Sequence, residues 1–102
     1  MFENATNFNS NIGNWDVSNV TDFERVFYIS SAFNNGGSPS IGNWNTSKVT
    51  TMLGMFYQTS FNQPIGTKVV TVNGITYTAW DTLNVTNMRV MFLKVKYLII
   101  YQ

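Results

Sequence analysis

A chain of 102 residues with six basic and five acidic side chains and a net charge of +1 has neither the basic footprint that grips nucleic acid nor the polybasic patch that holds an anionic membrane. It contains no cysteine and no histidine, which excludes a disulfide framework and thiolate metal sites while leaving the redox compartment open. The N-terminal MFENATNFNS lacks the basic and apolar regions of a secretory signal, and the C-terminal YLII is far short of the ~20 apolar residues of a membrane span.

Phe2 is the first residue of a pattern. The block WDVSNVTDFERVF (Trp15 to Phe27) returns as WNTSKVTTMLGMF (Trp44 to Phe56) and as WDTLNVTNMRVMF (Trp80 to Phe92). Trp and the closing Phe stand twelve residues apart in every copy, with Val and Thr at the fifth and sixth places after Trp and Phe or Met at the eighth. Upstream, FNSNIGNW from Phe8, FNNGGSPSIGNW from Phe33 and FNQPIG from Phe61 share a Phe-Asn start and a later Ile-Gly. The period of about twenty-five residues, uninterrupted between Phe2 and Phe27, marks stacked units that cannot bury their apolar faces singly. Repeats are expected at about 2–26, 27–55 and 56–92. Because Phe2 aligns with Phe27, Phe56 and Phe92, the chain opens inside a repeat, as would a fragment of a longer array or a subunit whose raw end a partner covers.

Within the first block, Val20, Phe23, Val26 and Phe27 fall at i, i+3, i+6 and i+7, the spacing of one helix face. Thr21 and Glu24 match the Thr-x-x-Glu capping box, and Thr50 and Thr86 are the corresponding caps of two further short helices. The Phe-Asn-to-Trp segments are expected to form a brief strand between turns, with Phe8, Ile12, Trp15 and their counterparts as apolar columns. The fold class expected is therefore α/β: a leucine-rich-repeat-like solenoid of about three repeats of ~25 residues, each a short helix plus a short strand.

Asn recurs after Phe (Asn9, Asn34, Asn62) and before Trp (Asn14, Asn43). This row is either a ligand-binding face or an internal ladder that satisfies loop backbone groups. The second repeat carries extra loop residues around Asn35 to Pro39. In the third, the insertion at 67–79 places Asn73-Gly74 between the β-branched runs Val69–Val72 and Ile75–Thr78, the signal of a type I′ hairpin. Thr71, Val72, Asn73, Gly74, Ile75, Thr76 and Tyr77 are the candidate partner-binding residues, since insertions in repeat proteins often build the binding face; a tolerated surface insertion is the other reading. LKVKYLIIYQ, residues 93–102, leaves the pattern and reads as a C-terminal strand or cap.

The five acids are Glu3, Asp16, Asp22, Glu24 and Asp81. Asp16 and Asp81 share one repeat position, occupied by Asn45 in the middle copy, and so read as turn acceptors. No nucleophile–base pair or metal constellation can be assembled, so the expectation is no enzyme, no cofactor and no metal. The sequons at Asn4, Asn19, Asn45 and Asn84 would carry glycans on a eukaryotic secretory route, or are by-products of the repeat.

FNQPIG, IGNWDVSNVT and VTNMRVMF resemble the repeat of the BspA-like leucine-rich-repeat surface proteins, a family also known through mycoplasma-type surface lipoproteins, across nearly all of Met1 to Phe92. The resemblance implies an extracellular or cell-surface location and a non-enzymatic adhesion module that binds a host matrix, host-cell or neighbouring-cell protein. The alternative is a structural or self-assembling protein of a surface layer, filament or virion that stacks end to end through its repeat ends. Carbohydrate binding through Tyr57, Tyr77 and Trp80 is a third reading, set against the fit of Trp80 to a core column. Neither a nucleic-acid partner nor a membrane span is expected.

Overall fold

A computed structural model describes residues 2–95. The backbone amides of the recurring block show how it folds. Those of Phe23, Arg25, Phe27 and Ile29 donate across to the carbonyls of Thr51, Leu53, Met55 and Tyr57 at 2.8–3.1 Å, whereas those of Val26, Tyr28 and Ser30 close turns on the carbonyls three residues back. The second copy repeats the scheme: Met52, Gly54, Phe56 and Gln58 donate to Asn87, Arg89, Met91 and Leu93, and Met55 and Tyr57 to Met52 and Gly54. An α-helix would keep every one of these bonds within the segment, on the carbonyl four residues back. Here every second amide leaves it.

The expected α/β solenoid, with a short helix and a short strand in each repeat, is therefore not the architecture. Among the described residues there is no α-helix, and the elements are two 3-10 turns (Asn35–Gly37 and Pro39–Asn43) and two strands, β1 (Lys68–Val72) and β2 (Ile75–Ala79). The body measures 35 × 27 × 24 Å. Left-handed residues redirect the chain at matching places: Arg25 and Ile29, Gly54 and Gln58, Val90 and Lys94 all have φ between 48° and 61°. Such conformations end any right-handed helix before it can propagate.

The capping roles change accordingly. Glu24 donates its amide to Asp22 Oδ1 (2.7 Å), and Asn87 Oδ1 receives the amide of Arg89 (3.0 Å) in the same way. The threonines instead join copies: both the amide and the hydroxyl of Thr50 donate to the Thr21 carbonyl, and both those of Thr86 to the Thr50 carbonyl, at 2.8–3.2 Å. Isolated parallel bridges link Asp22 to Thr51 and Thr51 to Asn87. A residue with two vertical donors is what this position requires, and Thr supplies them.

Side chains follow the same vertical register. Phe2, Phe27, Phe56 and Phe92 stack with centroids 5.5–5.9 Å apart, and Phe8, Phe33 and Phe61 form a second column at 5.6–5.9 Å. Within each layer the two columns touch at 4.0–4.1 Å. Ile12, Ile41 and Ile65 are buried beside them, and a Cβ on Gly42 would come within 2.6 Å of the Pro64 carbonyl oxygen, so the Ile-Gly pair combines a core residue with a close approach of two backbones. The Asn after Phe is an internal ladder: Asn9 Oδ1 accepts the amides of Asn34 (2.6 Å) and Gly36 (2.9 Å), and Asn34 Oδ1 accepts that of Asn62 (2.6 Å).

β1 and β2 pair antiparallel with Val72 opposite Ile75 and Lys68 opposite Ala79, so the hairpin turns on Asn73-Gly74. Both turn residues have positive φ (52° and 80°), as a type I′ turn requires. No helix among the described residues is long and apolar enough to cross a membrane. Of the expected C-terminal strand or cap at 93–102, residues 96–102 lie outside the described part, as does Met1; Leu93 and Val95 continue the turn series by donating to Val90 and Phe92.

Candidate functional site

Cross-strand partners share a face of a hairpin. Val70 with Tyr77 and Val72 with Ile75 therefore form one apolar side, and Val69 with Thr78 and Thr71 with Thr76 the other. Val70 and Tyr77 pack on the core, and the Tyr77 hydroxyl donates to the Asn43 carbonyl. The base is fixed again where the Thr67 hydroxyl donates to the Trp80 carbonyl (2.8 Å). Beyond these anchors the arm runs out over the Trp turns of the first two repeats, and Ile75 near its tip is 65% exposed.

Beneath the arm lies a groove of about 590 Å³. One wall is Asn14, Trp15 and Asp16 of the first repeat, the floor is Asn43 to Asn45, and the opposite wall is the hairpin. Trp15 departs from its repeat position. Trp44 and Trp80 are 3% and 2% exposed and donate their indole N–H to the carbonyls of Ile12 (3.2 Å) and Ile41 (2.8 Å) in the repeat before, whereas Trp15 is 47% exposed and its indole nitrogen has no partner among the described residues. The expected core column thus holds for two indoles and not for the first. Trp80, in turn, is closed to any sugar, and Tyr57 is occupied in stacking on Tyr28 at 4.7 Å.

Asp16 is held in an Asx turn: the Ser18 hydroxyl (2.6 Å) and amide (3.0 Å) both donate to its Oδ1 and keep its carboxyl below the ordinary aspartate value. Asn45 and Asp81 accept the amides of Ser47 and Leu83 in the same manner, so this position is a turn acceptor in all three copies. Burial raises the Tyr77 phenol above its ordinary value, and the Asp16 carboxylate on the facing wall adds to the rise. No three acidic, cysteine or histidine side chains come together among the described residues as a metal site would need.

Of the seven residues expected to bind a partner, Val72, Asn73, Ile75 and Tyr77 line the groove. Thr71 and Thr76 share a hydrogen bond (2.8 Å) on the outer face, and Gly74 forms the tip with nothing near it. The facing wall was not foreseen, because the repeat assigned Trp15 to the core and Asp16 to a turn. Nothing in the pattern sets Trp15 apart from Trp44 and Trp80, since all three open the same block.

None of the curated proteins and none of the solved structures matches this chain. A family described as Mycoplasma protein of unknown function, DUF285, matches residues 1–78 and again residues 67–99. That span takes in the repeats and the hairpin alike, and the chain belongs to this family.

Proposed function

We propose that the chain is a non-enzymatic recognition module of the BspA-like kind, displayed at a cell surface, that holds a protein of a host or neighbouring cell through the hairpin and the groove below it. One observation carries the reading. The hairpin's apolar face continues past the core, so that Ile75 stands 65% exposed on an arm anchored at its base by Tyr77 and Thr67. A preformed arm with an uncovered apolar end loses little conformational freedom when a partner covers it. Ile75→Ser is expected to lower attachment of the purified chain to host cells several-fold without altering its circular dichroism or melting. Attachment unchanged by this substitution would sink the proposal.

A second reading, end-to-end stacking of copies into a structural assembly, is favoured by Met88, which is 45% exposed although its counterpart Met52 is fully buried. In that case light scattering would show mass rising with concentration, and Met88→Lys would hold the chain monomeric.

A further inference from the structure

We propose that the groove between Trp15 and Tyr77 binds a neutral sugar, the terminal residue or two of a glycan carried by the partner protein, while the hairpin tip meets the protein itself; the inference rests on the reading of this face as the recognition surface. Its volume of about 590 Å³ lies within the usual range of small-molecule sites and suits one or two pyranose rings.

The lining selects the chemistry. No lysine or arginine borders the groove, and the Asp16 carboxylate, kept ionised by Ser18, faces into the same space as Tyr77. A phosphate, sulfate or acidic sugar would meet repulsion with no cation to offset it. A purely apolar ligand would strip water from Asp16 and from the amides of Asn14, Asn43 and Asn73, whose side chains make no hydrogen bond among the described residues. Those amides offer donors and acceptors side by side, and the carboxylate is a strong acceptor for hydroxyl donors. A polyhydroxylated ring presents that alternation of donors and acceptors around its edge.

The apolar component is Trp15. It lines the groove, packs on Phe2 at 5.8 Å and is 47% exposed, so part of its indole is open to a ligand, whereas Trp44 and Trp80 are sealed in the core. A pyranose has a matching apolar C–H face and a polar rim. An ammonium group would also be drawn to Trp15, Tyr77 and Asp16, but it carries donors only and offers no acceptor to the N–H groups of the three asparagine amides.

The test is titration of the whole chain with methyl glucoside, methyl galactoside, N-acetylglucosamine, cellobiose and lactose, followed by ligand-observed NMR and by iodide quenching of tryptophan fluorescence. At least one of these sugars is expected to saturate the protein and to shield Trp15 from iodide. Trp15→Ala and Asp16→Asn should each weaken that binding by about tenfold or more, with circular dichroism unchanged, and Tyr57→Ala, remote from the groove, should leave it intact. No saturable signal from any of the five sugars overturns the assignment, as does binding indifferent to both groove substitutions. Tetramethylammonium binding in place of sugar overturns it in favour of a cation site. If sugars fail while Ile75→Ser still abolishes cell attachment, the sugar assignment alone is wrong; if both fail, the face itself is not the recognition surface.

Discussion

In the stacked repeats a hydrogen-bond partner in the neighbouring copy lies between 23 and 39 positions away, from Ile12 with Asn35 to Trp80 with Ile41, while in the hairpin the most distant cross-strand pair is Lys68 with Ala79. The two regions accordingly take their environments from different sources. In the stack the neighbouring copy decides: Met52 and Met88 share one repeat position and are 0% and 45% exposed, and Trp44 and Trp15 share another and are 3% and 47% exposed. In the hairpin the turn and the pairing are local, set by Asn73-Gly74 and by residues directly opposite, and the stack enters through the anchors Val70 and Tyr77. One sequence pattern can thus serve as core in one copy and as a surface in another, and Trp15 is the instance that opens a groove.

The comparison would break first at Phe56, which is fully buried and stacks on Phe27, Phe61 and Phe92. Phe56→Ala is expected to cost ~3–5 kcal/mol, a large part of the ~5–15 kcal/mol that holds a domain of this size. Urea titration should find the midpoint sharply lowered, and a loss under about 1 kcal/mol would mean that the column is not the source of stability. A smaller effect is expected at Asn35, buried between copies, where Oδ1 accepts the Ile12 amide (2.8 Å) and Nδ2 donates to the Ser38 carbonyl (2.9 Å). Asn35→Ala orphans the Ile12 N–H and should cost ~1–3 kcal/mol in the same titration. Smallest and most local is Gly74→Ala, at φ 80°, with a cost of ~1–2 kcal/mol for the left-handed conformation. Hydrogen exchange should then quicken at the amides of β1 and β2 and stay unchanged at Phe27 and Phe56; faster exchange at both sites would join the two regions into one unit.

Sequence reasoning reached the hairpin because Asn-Gly between β-branched runs leaves little choice of turn. It reached the Phe columns and the Asn ladder because each recurs in register. It missed the conformation of the recurring block, and the reason is geometric. Turns closed on the third residue back place Val20, Phe23, Val26 and Phe27 on one side much as a helix does, so the spacing alone does not separate them. Thr21 and Glu24 compounded the misreading, since a Thr whose carbonyl accepts both donors of the Thr in the next copy has the same sequence signature as a helix cap. The distinguishing feature was the left-handed position every fourth residue, marked by a glycine only at Gly54 and hidden under Arg25, Ile29, Gln58, Val90 and Lys94. The groove was half legible: the hairpin wall was in view, and the Trp15 wall was masked by assigning one role to all three tryptophans.

The most direct test of this account is an NMR assignment of the Thr21–Ile29 segment. Through-hydrogen-bond couplings from the amides of Phe27 and Ile29 to the carbonyls of Met55 and Tyr57 are expected, together with close contacts between these two stretches. A run of couplings and short contacts to residues four places earlier within the segment would instead show a helix, and would contradict the fold on which the groove depends.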